Sequence, residues 1–138
     1  MGGLGLFVAE LPALQKPVYS YFISEMDARI YDHQWNRLPA GALVFDLVPY
    51  RAPTLLGRYT DSSVTWYAIK EDWKDLFLNP LPDAVRASGF DYAYMDNFNF
   101  AKLDPAVQQA WEAPCVRLVE EASYEGYWRR LYDVRMCR

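Results

Sequence analysis

Residues 42–61, ALVFDLVPYRAPTLLGRYTD, constrain the fold of this chain more than any other stretch. They open with an apolar run at residues 43–48 that is interrupted by a single acid, Asp46. A strand this uniformly apolar is typical of the centre of a sheet that is covered on both faces. Because prolines follow at once, the stretch predicts a buried strand that delivers a polar loop to one edge of an α/β sheet.

The composition sets the size and class of the domain. The chain has 138 residues, of which 52% are hydrophobic and 17% aromatic, which is enough to form one folded core. Its net charge of -4 argues against a nucleic-acid partner, because such proteins present a basic face. We expect a single α/β domain over residues 17–138. Residues 1–16 are expected to be either an N-terminal arm or the end of a membrane span.

The rest of the pattern alternates helices with strands. Apolar residues four apart, from Val18 to Ile30, predict an amphipathic helix that ends near Arg37, although Ser24 and Asp27 could cap a shorter one. Further strands are predicted at 64–69 and 90–95 and further helices at 53–58, 71–78, 82–88 and 105–111, with residues 97–102 irregular. This order predicts a Rossmann-like three-layer domain with a mixed sheet and a C-terminal antiparallel hairpin.

Two acids are expected at equivalent strand ends. Asp46 closes the first strand and Asp96 the third, and in open α/β sheets the loops that leave such ends carry the ligand. Two carboxylates there could bind a hard cation or perform acid–base chemistry. The alternative is that each acid caps its own turn, Asp46 by pairing with Arg51. The candidate ligand-binding residues are Asp46, Tyr50, Arg51, Arg58 and Asp96.

Established catalytic and cofactor motifs do not occur in this sequence. It has no GxGxxG, P-loop, HExxH, GxSxG or CxxC pattern, and the loop after the first strand, VPYRAP, is stiffened by prolines. His33 is the only histidine, so a zinc site lacks ligands. We therefore assign no catalytic residue, no cofactor and no metal to this chain.

The two cysteines, Cys115 and Cys137, are either two buried thiols or one disulfide. Residues 115–122 and 129–137 both have the pattern of strands, and an antiparallel hairpin centred on Gly126 places Cys115 opposite Cys137. The same register sets Leu118 opposite Val134 on an apolar face. Opposed residues of a hairpin lie within disulfide range. The register therefore favours a disulfide and an oxidising compartment.

Three segments carry a resemblance to a known family: YDHQWNRLPAGALVFDLVPYRAPTLLGR at 31–58, FDYAYMD at 90–96 and RRLYDVRMCR at 129–138. They resemble the extracytoplasmic C-terminal region of large bacterial polytopic membrane proteins of the glycosyltransferase-like type, which use lipid-linked sugars. The resemblance implies an extracytoplasmic location, with the membrane-embedded part of the parent chain as partner. Residues 3–14 would then be the tail of a final membrane span. Transfer chemistry in that family is expected among the membrane helices, so no catalytic residue carries over.

Three functions stay open on the sequence. The first is a non-catalytic extracytoplasmic domain that binds a sugar or a lipid-linked sugar acceptor, since aromatic, Arg and Asp side chains are the groups that bind carbohydrate. The second is a free-standing enzyme that uses Asp46 and Asp96 with a divalent cation. The third is a protein-interaction module. We expect the first.

Overall fold

The computed structural model describes residues 25–34, 37–47, 65–67 and 74–138, with residues 65–67 described by their backbone alone. Within these ranges the chain forms a five-stranded mixed sheet with helical residues packed against each of its faces. The prediction of an α/β domain with a mixed sheet is therefore confirmed. Residues 1–16, predicted to be an N-terminal arm or the end of a membrane span, lie outside the described residues, and so does the predicted helix at 53–58.

The described helices and strands are short. Helix α1 covers residues 25–34 and is followed by α2 (Lys74–Leu78), α3 (Pro82–Ala87), α4 (Asn97–Ala101) and α5 (Pro105–Ala110). The strands are β1 (Leu43–Asp46), β2 (Thr65–Tyr67), β3 (Tyr92–Asp96), β4 (Arg117–Tyr124) and β5 (Tyr127–Asp133). Among the described helices, none has the length and apolar character needed to cross a bilayer.

The strand order of the sheet is β2-β1-β3-β5-β4. Strand β1 runs parallel to β2 and β3, whereas β5 runs antiparallel to both β3 and β4. The carboxyl ends of β1 and β3 therefore share one edge of the sheet, which we call the carboxyl edge. Strand β5 starts at the same edge, because Arg129 lies opposite Asp96. The opposite edge is the amino edge.

The two faces of the sheet bury separate apolar clusters. One cluster joins α1 to the sheet through Met26, Ile30, Tyr31, Val44, Tyr92, Tyr94 and Leu131. The other joins α2, α3 and the end of α5 to the sheet through Phe45, Leu76, Val85, Ala93, Met95 and Trp111. The predicted alternation along β3, with the two tyrosines on one face and Ala93 and Met95 on the other, is confirmed. So is the inward face of α1 at Met26 and Ile30, whereas Val18 lies outside the described residues.

The predicted hairpin register is wrong, although the disulfide that it suggested is present. The hairpin is not centred on Gly126, because its turn is the two-residue pair Glu125-Gly126 between the paired residues Tyr124 and Tyr127. The φ angles of the pair are 47° and 86°, as in a type I′ turn. An irregularity between Leu118 and Glu120 shifts the register again, so that Leu118 lies opposite Tyr132 rather than Val134. Arg117 lies directly opposite Asp133 and forms an ion pair with it at 3.0 Å.

The disulfide joins residues beyond the ends of the two strands. The Sγ atoms of Cys115 and Cys137 are 2.08 Å apart and the two Cα atoms are 4.9 Å apart. A turn makes this possible, because the Cys137 N–H donates to the carbonyl of Val134 at 2.9 Å and folds the chain back after β5. The predicted cysteine pairing is confirmed, and its cause is this turn rather than a cross-strand register.

The prediction that residues 97–102 are irregular is also wrong. They begin with helix α4, whose N-cap is Asp96. The Asp96 side chain accepts a hydrogen bond from the Asn99 backbone N–H at 3.2 Å, which satisfies one of the donors that a helix start leaves open. The prediction followed the aromatic composition of this segment and overlooked Asp96, which is a favourable N-cap residue.

Candidate functional site

The structure brings two of the predicted site residues together. Asp46 and Asp96 both lie at the carboxyl edge, on the face of the sheet that α1 covers, because they continue the alternation of Val44 and Tyr94. Asp46 is directly opposite Tyr94 in the neighbouring strand. Both carboxyl groups are buried, with 1% and 3% of each residue exposed. The other three predicted ligand-binding residues, Tyr50, Arg51 and Arg58, lie outside the described residues.

Asp96 has a structural task. One of its oxygens, Oδ1, accepts the Asn99 side-chain amide at 2.6 Å as well as the Asn99 backbone N–H. The other oxygen, Oδ2, lies 3.9 Å from Nη1 of Arg129. The alternative of a helix-capping carboxylate is therefore confirmed for Asp96. Its second oxygen still faces the interior of the site.

Three residues that the sequence analysis did not select complete the site. Arg129 donates from Nε to Oδ1 of Asp27 at 2.9 Å, and the hydroxyl of Tyr94 donates to the same oxygen. All three side chains are essentially inaccessible to solvent. Together with Asp46 and Asp96 they form what we call the carboxylate cluster.

A sequence signal for the carboxylate cluster existed. Asp27 lies on the apolar face of α1, one turn before Ile30 and Tyr31, where a charged residue is unusual. Arg129 takes the same side of β5 as the buried Leu131. Charged residues at two inward positions predict a buried ion pair. The sequence alone did not show that the two positions meet.

Tyr94 is held in its neutral form. Burial and the neighbouring Asp27 carboxylate raise the pKa of the Tyr94 hydroxyl well above its ordinary value. The phenol therefore stays protonated at neutral pH and can donate its hydrogen bond to Asp27. Donors of this kind are required, because a charged group in the interior is costly unless it is paired and hydrogen-bonded.

Aromatic side chains lie at the carboxyl edge beside the carboxylate cluster. The rings of Phe98 and Tyr127 are in contact, with centroids 5.4 Å apart, and Tyr124 lies opposite Tyr127 across the hairpin turn. Phe98 is 42% exposed and Tyr124 is 39% exposed. We call these three residues the aromatic patch. The aromatic patch lies at the same edge as the carboxylate cluster, because α4 follows the end of β3 there and the hairpin turn joins β4 to β5 there.

The described residues offer one group with metal-ligand atoms in close proximity, and its chemistry does not suit a metal. Donor atoms of Asp83, Cys115 and Cys137 lie within 4.8 Å of one another. Both sulfur atoms belong to the disulfide and are not thiolates, the form that binds metals. Within the described part of the chain, this group therefore does not hold a metal.

Comparison of the chain with protein-family models, with curated proteins and with solved structures found no match. The function is therefore inferred from the chemistry of the carboxylate cluster and the aromatic patch.

Proposed function

We propose that this chain is a non-catalytic extracytoplasmic domain of a larger membrane protein, and that it binds a carbohydrate, free or lipid-linked, at the carboxyl edge of its sheet. The observation that carries this proposal is the position of the exposed aromatic patch beside the carboxylate cluster. Of the five candidate ligand-binding residues, Asp46 and Asp96 lie at this edge, and the other three are outside the described residues.

A sugar needs apolar and polar contacts, and the exposed aromatic patch supplies the apolar ones at this edge. The C–H faces of a sugar ring are apolar and pack on aromatic rings, as Phe98 and Tyr124 would allow. Sugar hydroxyls donate to carboxylates and accept from guanidinium groups. Ligand sites generally combine a larger apolar wall with a few placed polar groups. At this edge the aromatic patch is the exposed apolar wall, whereas the carboxylate cluster is buried and would hold the strand ends in place rather than contact the sugar.

The disulfide supports the extracytoplasmic location. Bonds such as Cys115–Cys137 form and persist in oxidising compartments and are rare in the cytosol. The membrane-embedded partner rests on the family resemblance. We also infer a Rossmann-like three-layer architecture, which is supported by the parallel strands β2-β1-β3 and by helical residues on both faces of the sheet.

Titration calorimetry with mannose, glucose, galactose and N-acetylglucosamine tests the carbohydrate proposal. At least one of these sugars is expected to bind, and Phe98→Ala or Tyr124→Ala should weaken that binding about fivefold or more, as the loss of an aromatic anchor does. Leu118→Ala is the matched control, because Leu118 is 47% exposed on β4 but lies outside the aromatic patch. Binding that survives both aromatic substitutions would contradict the proposed site.

Protease accessibility tests the location. An antibody against the domain should show that it is digested by protease added to intact spheroplasts and protected in inverted membrane vesicles. The reverse pattern would place the domain on the cytoplasmic side.

A second candidate function is a free-standing enzyme that uses Asp46 and Asp96 with a divalent cation. It is favoured by the position of both buried carboxyl groups at the same edge and on the same face. Because Asp96 caps α4 and faces Arg129, a cation there would compete with an existing cation. Mg²⁺ or Mn²⁺ binding that is lost in Asp96→Asn would support this function. A protein partner that binds without sugar or metal would support an interaction module.

A further inference from the structure

A separate pocket lies at the amino edge of the sheet, away from the carboxylate cluster. Its volume is about 370 Å³, and it is lined by Arg86, Ala87, Arg135, Cys137 and Arg138. Arg86 belongs to α3, and Arg135 and Arg138 follow β5. Three of the five lining residues are therefore arginines, in a chain whose net charge is -4.

Two of the three guanidinium groups are held in place. Arg86 donates from Nη1 to Oδ1 of Asp91 at 2.7 Å, and that aspartate is anchored to β1 by the Leu43 N–H at 3.1 Å. The Arg86 side chain is thus tied to the start of the sheet. In its hydrogen bonds to described residues, Arg86 donates only from Nη1, and its other N–H groups make no hydrogen bond to those residues.

Arg135 is fixed in a similar way. It donates to Asp133 from Nε and Nη2, the latter at 2.8 Å, and its guanidinium lies 5.1 Å from the centre of the Tyr92 ring. Arginine positioned before a ligand arrives loses less side-chain freedom on binding.

Arg138 supplies a positive charge that has no ion-pair partner among the described residues. Among the described residues, no carboxylate lies within ion-pair distance of its guanidinium, whereas Arg86 and Arg135 each have one. The charge of Arg138 therefore remains available to a bound anion.

We propose that this pocket binds a phosphate-type oxyanion, as a small phosphorylated compound. Guanidinium groups bind phosphate oxygens through paired, charge-assisted hydrogen bonds, and three of them suit an anion with several terminal oxygens. The volume falls at the lower end of the range of about 300–1,000 Å³ typical of small-molecule sites, so it admits a ligand larger than phosphate alone. This site is independent of the carbohydrate site at the other edge.

Titration calorimetry with inorganic pyrophosphate, at fixed ionic strength, tests the proposal. The full chain is expected to bind pyrophosphate, and Arg138→Gln should weaken binding by about tenfold or more, as the loss of a charge-assisted contact does. Arg138 is exposed, so its substitution leaves the fold intact. Arg135→Lys keeps the positive charge but removes the paired N–H donors of the planar guanidinium, so it should also weaken binding.

Two further variants distinguish binding in the pocket from a nonspecific effect of net charge. Lys102→Gln removes one positive charge from an exposed residue at the end of α4 and should leave the affinity unchanged. Asp83→Asn removes the acid that lies within 4.8 Å of the Cys137 sulfur and should tighten binding. The proposal is overturned if pyrophosphate does not bind, if acetate binds as tightly, or if Lys102→Gln weakens binding as much as Arg138→Gln.

Discussion

Replacing Arg129 by methionine is the most direct test of the carboxylate cluster. Arg129 is only 1% exposed. Methionine keeps an unbranched side chain of similar length but removes the guanidinium group. Asp27 then loses a partner at 2.9 Å, and Asp96 loses the cation 3.9 Å from its Oδ2. Removing one member of a buried ion pair costs about 3–5 kcal/mol, because a buried charge is left behind.

This cost is large beside the total stability of a domain, which is about 5–15 kcal/mol. Urea unfolding followed by tryptophan fluorescence measures it. For a slope of about 2 kcal/mol per molar urea, the midpoint should fall by about 2 M. The slope itself should not change, since the same surface is exposed on unfolding.

Arg130, the next residue along β5, provides a matched control for Arg129→Met. Arg130 pairs with Glu121 at 2.5 Å, but both side chains are about one-third exposed, and its guanidinium lies 3.9 Å from the centre of the Trp128 ring. Arg130→Met should cost only about 1 kcal/mol, because exposed ion pairs and cation–π contacts contribute little. Equal costs for Arg129→Met and Arg130→Met would refute the claim that the buried pair is special.

A double-mutant cycle measures the coupling between the two charges of the pair. The double variant Asp27→Asn with Arg129→Met removes both charges of the pair. It should be more stable than the sum of the two single costs indicates, by about 0.5–3 kcal/mol, the coupling typical of groups in contact. Strict additivity of the two costs would mean that Asp27 and Arg129 do not act as a pair.

Three further predictions concern the hairpin and its end. The unfolded, unreduced chain should show no free thiol, and replacing Cys115 and Cys137 by alanine should lower the free energy of unfolding by about 3 kcal/mol, as expected for a closed loop of this length. Burial raises the pKa of Asp133, but hydrogen bonds from Arg135 and Arg117 outweigh it and lower the pKa below the ordinary value. This carboxylate therefore stabilises the fold above its unfolded pKa and loses that effect as the pH falls through the folded pKa. Unfolding measured between pH 6 and pH 2 should show a shallower loss for Asp133→Asn than for the parent chain. Gly126→Ala should cost about 1–2 kcal/mol in thermal unfolding, since φ is 86° there, and no loss would contradict the turn assignment.

The sequence by itself determined the class of the fold. The apolar run at β1, the alternation along β3 and the turn residues around Gly126 are local patterns, and each predicted its element to within a few residues. Local patterns suffice there because burial on one or two faces imposes a period on the chain. The cysteine pairing was also correct. Its predicted geometry was not, because the bulge between Leu118 and Glu120 and the turn before Cys137 have no clear sequence signature.

Only the tertiary structure decided which charged residues meet. Asp27 and Arg129 are separated by 102 positions in the sequence, and their contact exists because α1 packs over the face of the sheet to which β5 contributes. Likewise, Asp96 could be placed at a strand end from the sequence, but its role as the cap of α4 depends on the backbone path after β3. Residue spacing fixes periodicity within an element. Contacts between elements depend on how their buried faces pack together, and no local pattern encodes that.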